Sequence, residues 1–178
     1  MRIFSATIIS LCIGLAGVTP APGNTIDQEF MLGSYVSTLR NLNTEGVVLA
    51  YRLWFKPGQD DGFSILHPRP LELGFELRGG CLWKPKDTGE GSLLIDLKYE
   101  LDPGNDFGFY LLAGLGGNYS GVSYTEVATH FNFIERGSLG IRIFRFIIQT
   151  SYEHRSNAGL RSPNRGIDLL TVSLGLRY

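Results

Sequence analysis

Polar and apolar residues alternate along this chain in segments of about ten, and a period of two fits β-strands with one apolar and one polar face. In "GSLLIDLKYEL", Leu93, Ile95, Leu97, Tyr99 and Leu101 share one face while Ser92, Asp96, Lys98 and Glu100 share the other, with Leu94 the exception. In "LELGFELRGGCLW", Leu71, Leu73, Phe75, Leu77, Cys81 and Trp83 oppose Glu72, Glu76 and Arg78. Eight such segments can be read, at 29–40, 44–55, 71–82, 91–101, 107–117, 133–144, 146–156 and 168–178. Turn residues separate most of them, as in "LNT" around Asn43, "KPKDTGEG" at 84–91 and "DPGND" at 102–106. Three places resist the pattern. Segment 56–70 is long for a turn, 118–132 is expected to hold extra strand, and "IFRF" between the sixth and seventh segments has no good turn residue, so a boundary there is expected to be misplaced.

Eight antiparallel strands in one domain predict an all-β, closed up-and-down barrel, because closure removes the strand edges that would otherwise aggregate. The polar face decides what kind. It collects Arg52, Arg78, Lys98, Arg142 and Arg155 against Glu72, Glu76, Asp96, Glu100 and Glu153, the balance that a narrow lumen needs if each buried charge is to be paired. The apolar face would be a very large exposed patch in water but suits lipid. Tyr51, Phe55, Trp83, Tyr99, Phe107 and Phe109 are expected near strand ends, as interfacial girdles. The chain ends "VSLGLRY", with Val172, Leu174, Leu176 and Tyr178 on one face, which resembles the terminal signal for bacterial outer-membrane assembly. A transmembrane eight-stranded barrel is therefore expected. Side chains fill the interior of so small a barrel, so it is no pore and its function must lie on a loop or the outer wall.

The first residues read as a secretory signal peptide: Arg2 precedes the apolar run "IFSATIISLCIGLAGV", and small residues follow. Residues 1–23 are assigned to the signal and 24–178 to the barrel. Cys12 follows Leu11, a poor match to a lipidation site, and the remaining Cys81 can form no intramolecular disulfide. With 16 basic against 17 acidic residues and no basic stripe, nucleic-acid partners are disfavoured. His67 and His130 fall in connecting segments without ligand spacing, so neither a metal nor another cofactor is implied. Lys84, Lys86 and Arg161 are placed in outer loops, where they would be solvated or meet phosphates.

One stretch carries candidate chemistry, "YEHRSNAGLRSPNRGID" at 152–168. If both termini face the periplasm, this stretch lies at the external rim. Phe146, Ile148 and Tyr152 would face lipid and Gln149, Ser151, Glu153 and Arg155 the lumen, so His154 and Ser156 continue the lipid-facing row. Asp168 shares the parity of the outward Leu170, Val172, Leu174 and Leu176. His154 could then take the proton of Ser156 as it attacks an ester, with Asp168 orienting the imidazole. Asn157, Asn164 and the amides around "NAG" are the nearest oxyanion donors. A solvated rim of ordinary polar residues explains the same positions equally well on geometry alone.

"HRSNAG" followed by "PNRGID" resembles the C-terminal signature of the PagL family of lipid A 3-O-deacylases, eight-stranded outer-membrane esterases. The resemblance implies Ser156 as nucleophile, His154 as general base, Asp168 as the acid and Asn157 and Asn164 as oxyanion or supporting residues. Asp168 stands where the best-known members carry glutamate, a methylene longer. The implied activity is hydrolysis of the ester-linked 3-hydroxyacyl chain at position 3 of lipid A, in lipopolysaccharide of a Gram-negative outer membrane. Lipid A and membrane lipid are the implied partners, and a homodimer stays open. Two other classes compete: a non-catalytic OmpX-like barrel in adhesion or envelope structure, and a barrel that transfers the acyl chain to an acceptor.

Overall fold

A computed structural model describes residues 25–37, 44–56, 71–84, 86–101, 106–124 and 126–178. The expected signal peptide, His67 and nearly all of segment 56–70 lie outside the described residues. Eight strands form in sequence: β1 (Thr25–Ser37), β2 (Glu45–Lys56), β3 (Leu71–Lys84), β4 (Thr88–Glu100), β5 (Phe107–Ser120), β6 (Phe131–Ile143), β7 (Phe146–Ser156) and β8 (Ile167–Arg177). Each pairs antiparallel with the next, and β8 closes on β1 to complete the barrel. The strands run 11 to 14 residues, long enough to cross a bilayer at a tilt.

Alternation sets the two faces. Along β4, Leu93, Ile95, Leu97 and Tyr99 are exposed while Ser92, Asp96, Lys98 and Glu100 are buried, and Leu94 joins the buried row. The lumen is a web of paired charges. Arg136 reaches Glu76 at 2.7 Å and Asp96 at 2.6 Å, Arg155 reaches Glu90 at 2.8 Å, and Lys98 reaches Glu72 at 2.6 Å. Arg52 also holds Glu76, and Arg78 holds Glu153. Trp54 fills the space beneath, fully buried, with the Lys98 ammonium 4.2 Å from its ring centroid. Gly74 makes room for that indole, since a Cβ there would stand 2.4 Å from it.

The start of β1, the end of β8 and the β6–β7 turn share one end of the barrel. Tyr178 N donates to Gln28 O at 2.9 Å, and Arg177 N donates to the carbonyl of Arg145, in the β6–β7 turn, at 2.8 Å. The boundary expected to be misplaced at "IFRF" is off by one residue: β6 ends at Ile143 rather than at 144, β7 starts at Phe146, and Phe144 and Arg145 make the turn. Phe144 takes a positive φ of 53° and donates its amide to Asp106 O, so neighbouring backbone supplies what the turn lacks in glycine. The expected turn at 84–91 is also shorter than its composition suggests. Strand β4 starts at Thr88 and pairs through Gly89, Glu90 and Gly91 with β3, because Glu90 points inward to Arg155 and Tyr35. Extra strand in 118–132 is present as the ends of β5 and β6.

One member of the expected girdles is misplaced. Trp83, Tyr99, Phe107 and Phe109 are exposed near strand ends, but Tyr51 sits mid-strand at 1% exposure, covered by the Phe30 ring at 4.8 Å. The opposite end of the barrel is closed by an apolar plug. Tyr124 and Val127, from the 121–130 connection, pack with Tyr35, Val48, Leu82, Ile167 and Leu169. Burial, with the Glu90 carboxylate close by, pushes the Tyr124 hydroxyl up to about 12, so it stays neutral within the plug.

Candidate active site on the outer wall

Strands β7 and β8 bring the candidate residues together at the plugged end. Gln149, Ser151, Glu153 and Arg155 fill the lumen, so the alternate row that ends in Tyr152, His154 and Ser156 faces outward. His154 and Asp168 are direct partners in the β7–β8 register. Facing residues of an antiparallel pair have Cβ atoms about 4.5–5.5 Å apart. A short acid therefore suffices, and His154 Nδ1 lies 2.8 Å from Asp168 Oδ1. With Nδ1 committed to that carboxyl, the lone pair of a neutral imidazole is on Nε2, free to take a proton. The histidine side chain is 38% exposed and the aspartate 13%, so the acid is the more sheltered partner.

Tyr152 joins this pair. Its hydroxyl donates to the same Asp168 Oδ1 at 2.8 Å. Asp168 is thus held from two sides by outward residues of one strand. The sequence carried a signal for Tyr152, its parity with His154 two positions on, although apolar packing toward lipid accounts for the same position.

Ser156 ends the outward row of β7, next along the face from His154. Its hydroxyl makes no hydrogen bond to another described residue, His154 included. Side chains two apart on a strand share a face about 6.5–7 Å apart at Cα, and catalytic bonds often tighten only with substrate present.

The loop at 157–166 is built around Asn157, which is fully buried. Its side-chain oxygen accepts from Gly159 N at 2.9 Å, and its amide nitrogen donates to Arg161 O at 2.6 Å and to Val127 O. Its backbone amide donates to Asn164 Oδ1 at 3.0 Å. The Asn157 side chain is therefore a strut, while Asn164 is exposed and tied beside the serine with its own amide nitrogen unengaged among the described residues. The plug connection clamps the loop through the Val127 carbonyl and through Arg165 N donating to Glu126 O at 2.8 Å.

Gly166 closes the loop at φ +73°, and a Cβ there would stand 2.3 Å from His154 Cε1. Only glycine fits, both for the left-handed backbone and for the approach to the imidazole. Of the other expected loop residues, His130 is exposed, stacked on Tyr119 and bonded to Ser120 O at 2.8 Å. Lys84 is not a loop residue: it ends β3 and pairs with Glu45 at 2.7 Å. Lys86 and Arg161 are exposed. Among the described residues, no group of three or more His, Cys, Asp or Glu side chains is arranged to hold a metal.

The sequence profile of the family described as lipid A 3-O-deacylase (PagL) matches residues 45–177, the first residue of β2 to the last of β8. No curated protein matches the chain by sequence. Among solved structures, the crystal structure of the outer membrane enzyme PagL superposes with a TM-score of 0.63 at 16% identity, over 83% of this chain and 98% of that one. The crystal structure of Neisserial surface protein A (NspA) superposes with a TM-score of 0.57 at 14% identity, over 89% and 98%. At such identities the likeness is one of fold.

Proposed function

The chain belongs to the lipid A 3-O-deacylase (PagL) family, and from that premise we propose that it is an outer-membrane carboxylic ester hydrolase removing the 3-hydroxyacyl chain from position 3 of lipid A. The observation that carries this reading is the His154–Asp168 hydrogen bond on the outer wall, with Ser156 next in the same outward row. A polar triple on that wall meets a substrate whose reactive ester lies at the boundary of the hydrocarbon. The acyl chain then need not leave the membrane to reach the nucleophile.

In this mechanism Ser156 Oγ attacks the ester carbonyl while His154 Nε2 takes its proton. Asp168 holds the imidazole through Nδ1 and stabilises the imidazolium. The tetrahedral oxyanion is met by the Asn164 amide nitrogen and nearby backbone N–H groups, with Asn157 keeping Asn164 in place. Collapse breaks the ester bond, and His154 returns the proton to the departing sugar oxygen. Water, deprotonated by the same imidazole, then cleaves the acyl-serine and releases the 3-hydroxy fatty acid. The site would face outward, at the end opposite the termini, with residues 1–23 serving export.

The test is purified barrel, refolded in detergent and given lipid A. Release of free 3-hydroxy fatty acid by the wild type, absent with Ser156→Ala, is the expected result. Appearance of the acyl group on a second lipid would mark an acyltransferase instead, and no reaction from a verified folded barrel would favour a non-catalytic one.

A further inference from the structure

Glu135 lies on the outward row of β6, exposed, and is the register partner of His154 on the side opposite Asp168. It makes no hydrogen bond or ion pair with another described residue. The other outward-facing carboxyl groups on the described strands, Glu45 and Asp168, are engaged by Lys84 and by His154 with Tyr152. An acid on a lipid-facing wall is disfavoured, and this one is not at the edge of its strand. Phe131 and Phe133, edge-on to each other at 5.3 Å, precede it in the row on the side of the plugged end. Aromatic rings of that kind mark the membrane interface, which sets Glu135 below it, at the depth of an acyl chain's first carbons.

Ser156 pairs with Phe133, so Glu135 stands diagonally one step down the wall from the nucleophile. Next in its row is Gly137, where a Cβ would meet nothing within 4 Å, paired with Ala113 on one side and Tyr152 on the other. Beyond Glu135, Gly137 therefore leaves open space on the outer wall alongside β7. A chain laid toward it with its carbonyl carbon at Ser156 brings the substituent two carbons further on alongside Glu135.

Building on the deacylase reading, we propose that Glu135 accepts a hydrogen bond from the hydroxyl on the third carbon of the acyl chain being cleaved, and so selects β-hydroxyacyl esters over plain ones. Glu135 is flanked in register by Leu115 and His154, and with His154 Nδ1 held by Asp168 and its Nε2 serving Ser156, the substrate hydroxyl is the donor left to satisfy the Glu135 carboxyl oxygen. A plain chain leaves the group unsatisfied, which is how a polar site rejects an analogue lacking the hydroxyl.

The test uses full-length barrel in mixed micelles with two lipid A esters, alike except that the position-3 chain does or does not carry the hydroxyl. Wild type is expected to prefer the hydroxylated ester. Glu135→Leu is expected to lower its kcat/KM about 10- to 100-fold while leaving the plain ester within about twofold, with Glu135→Gln, still an acceptor, in between. Equal loss on both esters, or no loss on either, overturns the proposal. Binding of the two lipids to Ser156→Ala, with and without Glu135→Leu, separates this claim from the deacylase reading. If wild type cleaves neither ester, the deacylase reading falls, and the presence or absence of a Glu135-dependent affinity difference still decides the role of Glu135.

Discussion

Asp168 reaches His154 because the two are paired in register, so an aspartate is long enough to hold the imidazole. Register of this kind is invisible in a single strand's alternation, which is why the sequence supplied the residue types and parity but not the contact. Tyr152 was less legible still, since an outward tyrosine near a strand end is expected of any such barrel. On this account Ser156→Ala and His154→Asn each lower the rate of deacylation by about 10³-fold or more. Asp168→Asn, which disturbs the tautomer but not the nucleophile, lowers it by about 10²- to 10⁴-fold. All three variants still assemble, as seen by heat-modifiable gel mobility, because none touches the packed lumen. Tyr152→Phe removes one hydrogen bond to Asp168 and is expected to lower kcat severalfold at unchanged KM, with little further effect in the Asp168→Asn background. Additive losses in the double variant would remove Tyr152 from the acid's support.

At the scale of elements, the strands followed their alternation closely and the loops did not. The segment "TGEG" reads as turn by composition yet extends β4, since the inward ion pair of Glu90 with Arg155 outweighs the weak local propensity of its glycines. The loop at 157–166 carries its own instructions more openly. Asn157 begins a turn through Ala158 and Gly159 in left-handed conformations, at φ 51° and 78°, and ends at Gly166 beside the imidazole. What no spacing could reveal is its clamp onto the 121–130 connection through Val127 and Glu126. Gly166→Ala is expected to lower kcat at least about tenfold by displacing the His154 ring, while the barrel folds normally. Asn157→Ala should loosen the whole loop, visible as faster proteolytic nicking near Arg161 together with lost activity. A Gly166→Ala enzyme with wild-type kcat would show that the ring tolerates the displaced position.

For the whole molecule, the division into a charged lumen and an apolar wall was legible from composition and period alone, because only lipid outside and paired charges inside satisfy both faces at once. Arg136 escaped notice because it shares its inward row with Ile134 and Ser138, which blurs that row's polarity, yet it ties Glu76 to Asp96 at the centre of the web. Replacing it by leucine leaves those acids short of a partner and is expected to cost about 3–5 kcal/mol of stability in urea unfolding, with activity per folded molecule retained. On the proposed reading the two faces differ in function: the lumen holds the barrel, and the wall meets the substrate. The central claim is that the wall carries a deacylase with Ser156 as its nucleophile. Mass spectrometry of lipid A from outer membranes containing either this protein or its Ser156→Ala variant tests it most directly. Loss of one hydroxyacyl chain from position 3 with the wild type only is the predicted result, and unchanged lipid A in both, with the barrel folded in the membrane, would contradict it.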